Sequence, residues 1–138
     1  MILYLDTSVL IKLYVVESDS KQVRDYLKEV DQVGTSWLAY PESRAALARR
    51  SSGQSGYTKL LKEFETDWPK FVRILPSEPL LRRSGELAER HRLRGFDAVH
   101  LASALFLGES TSAPITFWAA DRTLARAAAK EGLASPSI

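Results

Sequence analysis

Four acids in this chain stand where they can do chemistry: Asp6, Glu42, Asp97 and Asp121. Carboxylate oxygens are the ligands that hard cations such as Mg²⁺ take, a few at a time, together with water and substrate phosphate. Carboxylates crowded into one cleft repel each other unless a cation neutralises them. A cation held in this way activates a water and stabilises the leaving oxygen in phosphodiester cleavage. Each acid also has an ordinary use. Asp6 and Asp121 follow apolar runs and suit helix N-caps. Glu42 follows Pro41 near a helix start, where the helix dipole favours a negative charge. Asp97, His100 and Ser103 recur every third residue, one polar stripe on an otherwise apolar helix. A buried polar stripe needs partners or a wet cavity. The two kinds of use are compatible, because one carboxylate oxygen can cap a helix while the other faces a cleft.

Far apart in sequence, the acids meet only if the fold brings them together. Short, mostly apolar runs at Ile2–Leu5, Phe71–Leu75 and Ile115–Ala119 read as strands, and Val33–Ser36 is a candidate for another. Between them lie helical patterns. Val23, Tyr26, Leu27 and Val30 share one face of a helix over 19–30. Pro41 suits a first helical turn, and that helix runs on to Arg50. Residues 51–56 read as a loop, followed by an amphipathic helix carrying Tyr57, Leu60, Leu61, Phe64 and Trp68. Further helices are predicted over 78–92, 97–107 and 121–130, with Gly95 as a break and Gly132 as a stop. The tail, 133–138, is placed as one short edge strand.

Strands alternating with helices predict an α/β fold of three layers, in which a mostly parallel sheet of four to five strands is flanked by helices on both faces. Ligands in such sheets bind at the carboxyl ends of the strands, near a topological switch point. Asp6 and Asp121 occupy such positions. No internal repeat or linker divides the chain, so 1–138 is expected to form one domain.

Bulk composition narrows the choices. The sequence has 138 residues, 45% hydrophobic and 26% charged, as in a globular domain. It has no cysteine, which excludes disulfides, zinc–thiolate sites and thiol catalysis and permits an intracellular location. The apolar start reaches Asp6 at once, too short for a secretory leader, and no run approaches membrane-spanning length. Net charge is +2, unevenly spread: residues 1–69 hold 9 Lys and Arg against 10 Asp and Glu, residues 70–138 hold 10 against 7. The arginine-rich second half, including Arg90, Arg92 and Arg94, suits a partner carrying phosphates.

Four segments resemble the motifs of the PIN-domain family, above all its VapC-type toxins. Tyr4-Leu5-Asp6-Thr7-Ser8-Val9-Leu10-Ile11-Lys12 resembles the opening motif. Leu38 to Leu47 resembles the second, with Glu42 at its acid. Arg94 to Ala104 resembles the third with Asp97, and Phe117 to Ala128 the fourth with Asp121. The resemblance runs along essentially the whole chain, in the family's order, and is one of pattern only over 51–90. It implies a cytoplasmic endoribonuclease dependent on Mg²⁺ or Mn²⁺, the toxin of a toxin–antitoxin pair. Asp6, Glu42, Asp97 and Asp121 would be both catalytic residues and metal ligands, RNA the substrate, and a cognate antitoxin and a second copy the partners. It gives Thr7 or Ser8 a supporting hydroxyl and makes His100 a supporting or packing residue rather than a ligand. Tyr26, Tyr57 and Trp68, expected to be exposed on helices, also suit a homodimer.

Two other readings compete. In one, the same fold binds RNA or antitoxin without cutting; four intact acids speak against it. In the other, Asp6 is a phosphatase nucleophile, but such enzymes carry a second aspartate two residues on, where this chain has Ser8. A P-loop or dinucleotide-binding protein is disfavoured, since no glycine-rich loop follows Leu5.

Overall fold

The four apolar runs become four strands of one wholly parallel sheet in the computed structural model, which describes residues 1–136. They are β1 (Ile2–Leu5), β2 (Gln32–Ser36), β3 (Val72–Ile74) and β4 (Ile115–Trp118), in the spatial order β3-β2-β1-β4. The α-helices among the described residues are α1 (Thr7–Leu10), α2 (Ser20–Leu27), α3 (Ala39–Arg50), α4 (Gly53–Asp67), α5 (Glu78–His91), α6 (Gly95–Ser110) and α7 (Arg122–Lys130). Short 3-10 turns at Ile11–Leu13 and Trp68–Lys70 extend α1 and α4.

Alternation along β1 builds the layers. Successive strand side chains point to opposite faces. Ile2 and Tyr4 therefore enter one core with α5, α6 and α7, while Leu3 and Leu5 enter the other with α1, α2, Leu47 and Phe64. Residues of β1 are buried on both faces, as a central parallel strand requires. α6 lies close on β2. A Cβ built on Gly34 would meet the Leu107 side chain at 2.8 Å, so the glycine permits that approach.

The chain lays β1, β2 and β3 side by side in one direction and then returns to place β4 on the other flank of β1. That reversal makes the carboxyl ends of β1 and β4 the switch point.

Several expectations need correction. The tail contributes a single bridge between Thr116 and Ala134 rather than a strand, and Ser137 and Ile138 lie outside the described residues. α4 begins at Gly53, inside the segment read as a loop, and Gly53 takes the left-handed φ of 72° at that start. Gly95 opens α6 instead of breaking it, so Asp97 stands in its first turn and does not cap it. Trp68 is buried against Tyr40, Phe64 and Phe71, and Tyr26 is half-buried against Trp118. The large exposed apolar side chains are instead Val16, Trp37, Leu75, Leu81, Phe96 and Phe106.

Candidate active site

Beyond the carboxyl ends of β1 and β4 opens a cavity of about 710 Å³. Asp6, Glu42, Asp97 and Asp121 all line it. Asp6 follows β1 directly and caps α1, its Oδ1 accepting the Val9 N–H at 3.1 Å and the Ser8 hydroxyl at 2.7 Å. Asp121 follows β4 and caps α7, accepting the Leu124 N–H at 3.0 Å. Glu42, in the first turn of α3, accepts from the Thr7 hydroxyl at 2.5 Å and from the His100 ring at 3.1 Å. Asp97 accepts from the guanidinium of Arg94 at 3.1 Å.

A common pattern runs through these four. In each carboxylate one oxygen is engaged by the protein, and the other has no protein donor among the described residues. The structure thus presents four oxygens without protein partners to one cleft, while the engaged oxygens fix where the carboxylates stand. The uses weighed from the sequence coexist in Asp6 and Asp121, which both cap a helix and line the cavity.

Electrostatics sets the acids apart. Asp6 is buried, and burial pushes its carboxyl above the usual range; the charge of Asp97 adds to this, while bonds from Ser8 and Val9 offset part of it. For Glu42 burial also acts upward, but the hydrogen bonds of His100 and Thr7 outweigh it and hold the carboxyl below its usual range. Asp6 is buried and Glu42 only partly so, and the desolvation that wins at Asp6 is outweighed by hydrogen bonds at Glu42.

His100 sits beneath the acids, buried on α6. Its Nδ1 is 2.8 Å from the Tyr4 hydroxyl, and its Nε2 faces Glu42 at 3.1 Å and Thr7 at 3.2 Å. A carboxylate can only accept, so Nε2 carries the hydrogen of the neutral ring, and Nδ1 accepts from the Tyr4 hydroxyl, whose proton burial holds in place. Ser103, the last member of the polar stripe, turns its hydroxyl to the Val99 carbonyl at 2.7 Å. Sequence reasoning did not place Tyr4 in the site. The available signal was a phenol inside a fully buried strand, since a buried hydroxyl requires a partner. Rim positions were missed as well: Arg49 at the end of α3, and Phe96, 61% exposed beside Asp97.

Mg²⁺ and Mn²⁺ take oxygen donors, and the donors offered here are carboxylate oxygens. The set is loosely gathered, for among the described residues no three Asp, Glu or His side chains stand close enough to cage an ion. Each carboxylate rests on a protein donor. The donor chemistry fits a cation that keeps several waters and takes one or two carboxylates directly.

Comparison with known proteins gives consistent results. The family model described as PIN domain matches residues 3–130. The chain is 38% identical over 112 residues to ribonuclease VapC45 of Mycobacterium tuberculosis, covering 78% of each protein. Its fold matches that of FitAcB from Neisseria gonorrhoeae with a TM-score of 0.74 at 21% identity, over 99% of this chain and 97% of the other. A toxin–antitoxin complex from Klebsiella pneumoniae matches with a TM-score of 0.61 at 20% identity, over 83% of both chains.

Proposed function

The chain belongs to the PIN-domain family, and on that premise we propose that it is a metal-dependent endoribonuclease, the toxin of a toxin–antitoxin pair. One observation carries the catalytic part: four carboxylates, each with one oxygen free of protein donors, line a single cavity at the switch point of a parallel sheet. The 38% identity to a protein named a ribonuclease supports the choice of substrate.

Asp6, Glu42, Asp97 and Asp121 are the residues that would hold Mg²⁺ or Mn²⁺, which when bound neutralises phosphate charge and activates a water. The chain's own groups do the rest. Tyr4 and His100 orient Glu42, and Thr7 donates to the same carboxylate oxygen. Ser8 and the first turn of α1 fix Asp6. Arg94 holds Asp97 and, at 82% side-chain exposure, also reaches solvent where a phosphate would approach. Arg49 lines the same mouth. Phe96 offers a ring face on which an unpaired base can stack.

The proposed partners follow from the family resemblance and from the structural neighbour that is a toxin–antitoxin complex. A cognate antitoxin would seat a segment in the acid cleft. A second copy would cover the apolar groove of about 500 Å³ lined by Trp37, Leu75, Leu80 and Phe106, where Arg73 stacks on Trp37 at 4.6 Å. Light scattering that finds only monomer at high micromolar concentration overturns the homodimer. No helix among the described residues is long and apolar enough to cross a membrane. An RNA-cutting toxin acts where RNA is translated, so we place it in the cytoplasm.

The loose spacing of the carboxylates is the one feature that favours a silent binding module instead. A paired experiment separates the readings: RNA cleavage with added Mg²⁺ or Mn²⁺, and thermal melting with and without metal, for the wild type and Asp97→Asn. Asp97 does not cap α6, and its ion pair with the exposed Arg94 contributes little stability, so the variant folds. Cleavage should be lost and the metal-induced rise in melting temperature reduced. Full cleavage by the folded variant, or wild-type cleavage that survives chelation, overturns the mechanism.

A further inference from the structure

Next to the acid cleft lies a second concavity of about 280 Å³, walled by the end of α5 and the outer face of α7. Arg90, Arg92, Arg126 and Lys130 surround it, with Thr123 at one end. The acid at its edge, Glu131, is already occupied: it accepts from Arg90 at 2.8 Å and from His91 at 2.6 Å. Arg92, Arg126 and Lys130 make no ion pair among the described residues. Clustered cations without counter-charges repel, and a polyanion relieves that repulsion.

The same two chain segments wall this furrow and the acid cleft. Arg92 is two residues from Arg94, and Thr123 is two residues from Asp121, both of which line the cleft. At roughly 1.5 Å per residue along α7, Arg126 and Lys130 stand about 7.5 and 13.5 Å from Asp121. A strand lying across the acids and leaving on the Asp97–Asp121 side would pass over them within a few nucleotides.

Arg92 supplies a third observation. It ends α5 in the left-handed conformation, φ 55° and ψ 48°, with the Leu93 N–H bonded to the Ala88 carbonyl at 3.1 Å. Glycine closes a helix in this way without a steric penalty. An arginine held there at a backbone cost points to a use for its side chain.

We propose that this furrow binds the phosphates of the RNA strand on one side of the scissile bond, as a subsite that Arg92, Arg126 and Lys130 form. The proposal rests on the ribonuclease reading and deepens it. The furrow holds the strand and does not touch the reacting atoms, so its loss weakens binding without slowing chemistry at saturation.

The test uses the whole chain, with a long single-stranded RNA and a short one that spans only the acid cleft. Binding is followed by fluorescence anisotropy in chelator, separately from metal-dependent cleavage. Arg126→Gln/Lys130→Gln should weaken binding of the long RNA about tenfold and leave the short one unchanged. The slope of log affinity against log salt should fall by about 0.7 for each phosphate that the variant no longer neutralises. In cleavage of the long RNA, KM should rise with kcat retained. Arg92→Gly should also weaken binding while its melting temperature stays level or rises, a pair of opposite signs that a structural role would not give. Unchanged affinity and salt slope in both variants overturn the furrow while wild-type cleavage stands. A wild type that binds but never cuts overturns the ribonuclease reading, and the binding data still judge the furrow. A wild type that does not bind RNA overturns both.

Discussion

The hydroxyl of Tyr4 on β1 donates to Nδ1 of His100 on α6 across 2.8 Å, and this bond settles what the far side of the imidazole can offer Glu42. Tyr4→Phe removes the donor and leaves a buried ring nitrogen unpaired. The expected loss of stability is roughly 1–3 kcal/mol. Cleavage should fall as well, because the ring loses the bond that orients it. Denaturant unfolding and cleavage rates check the two effects, and a variant equal to wild type in both would remove Tyr4 from the site.

Asp6 gives a sign that runs against intuition. Burial raises its carboxyl from the ordinary value, so in the folded protein the ionised form is the costly one. A raised acid binds its proton more readily when folded than when unfolded. Stability without metal therefore increases as pH falls through the folded value, and near neutrality the charge is a burden. Asp6→Asn keeps an oxygen to accept from Val9 and Ser8. In chelator the variant should melt at or above the wild-type temperature; with Mg²⁺ the order should reverse. Melting curves under both conditions decide this, and a variant that melts well below wild type in chelator contradicts it.

Phe96, 61% exposed at the lip of the cleft, should contribute by stacking. Phe96→Ala is expected to cost about 1–3 kcal/mol of RNA affinity if one base rests on the ring. The ring is solvent-facing, so melting temperature should hardly change. Equal RNA affinity in variant and wild type would assign the ring no base.

Ser43 carries the single buried side-chain oxygen without a hydrogen-bond partner among the described residues. It stands on α3 next to Glu42, fully buried. Ser43→Ala removes an unpaired hydroxyl and improves helix propensity, so stability should rise by roughly 1 kcal/mol. Chemical denaturation measures this directly; a loss of stability would mean that the hydroxyl has a partner in solution.

β1 was legible because a central parallel strand has to be an unbroken apolar run, as Ile2–Leu5 is, and β4 because Ile115, Phe117 and Trp118 leave it mostly apolar. α1 was not legible, since four residues span barely one helical turn and show no periodicity. The start of α4 hid for another reason. Gly53-Gln54-Ser55-Gly56 has poor helix propensity, and the segment is helical because the turns after it pack on the core. Trp68 was expected to be exposed on a helix, and periodicity does not foretell that a 3-10 turn buries it. For the acids, the sequence placed Asp6 and Asp121 after strands from first principles. Glu42 needed the family resemblance, because a glutamate in a first turn looks the same on any helix. The Tyr4–His100–Glu42 chain joins three elements and could be read only from coordinates.

The pairing of β1 with β4 has a consequence for how the protein is made. Leu3 aligns with Thr116, so this contact closes a loop of nearly the whole chain. Such distant parallel pairing forms slowly and late. A ribosome releases β1, Asp6 and Glu42 well before the strand that completes their sheet and the aspartate after it, which follow more than a hundred residues behind β1. The cleft therefore has no fourth wall until β4 has emerged. Chains stalled before Ile115 should be open to protease and lack the assembled acid cleft. Topology thus ties completion of the cleft to a single contact that spans more than a hundred residues, so the four acids share one wall only once β4 has joined the sheet.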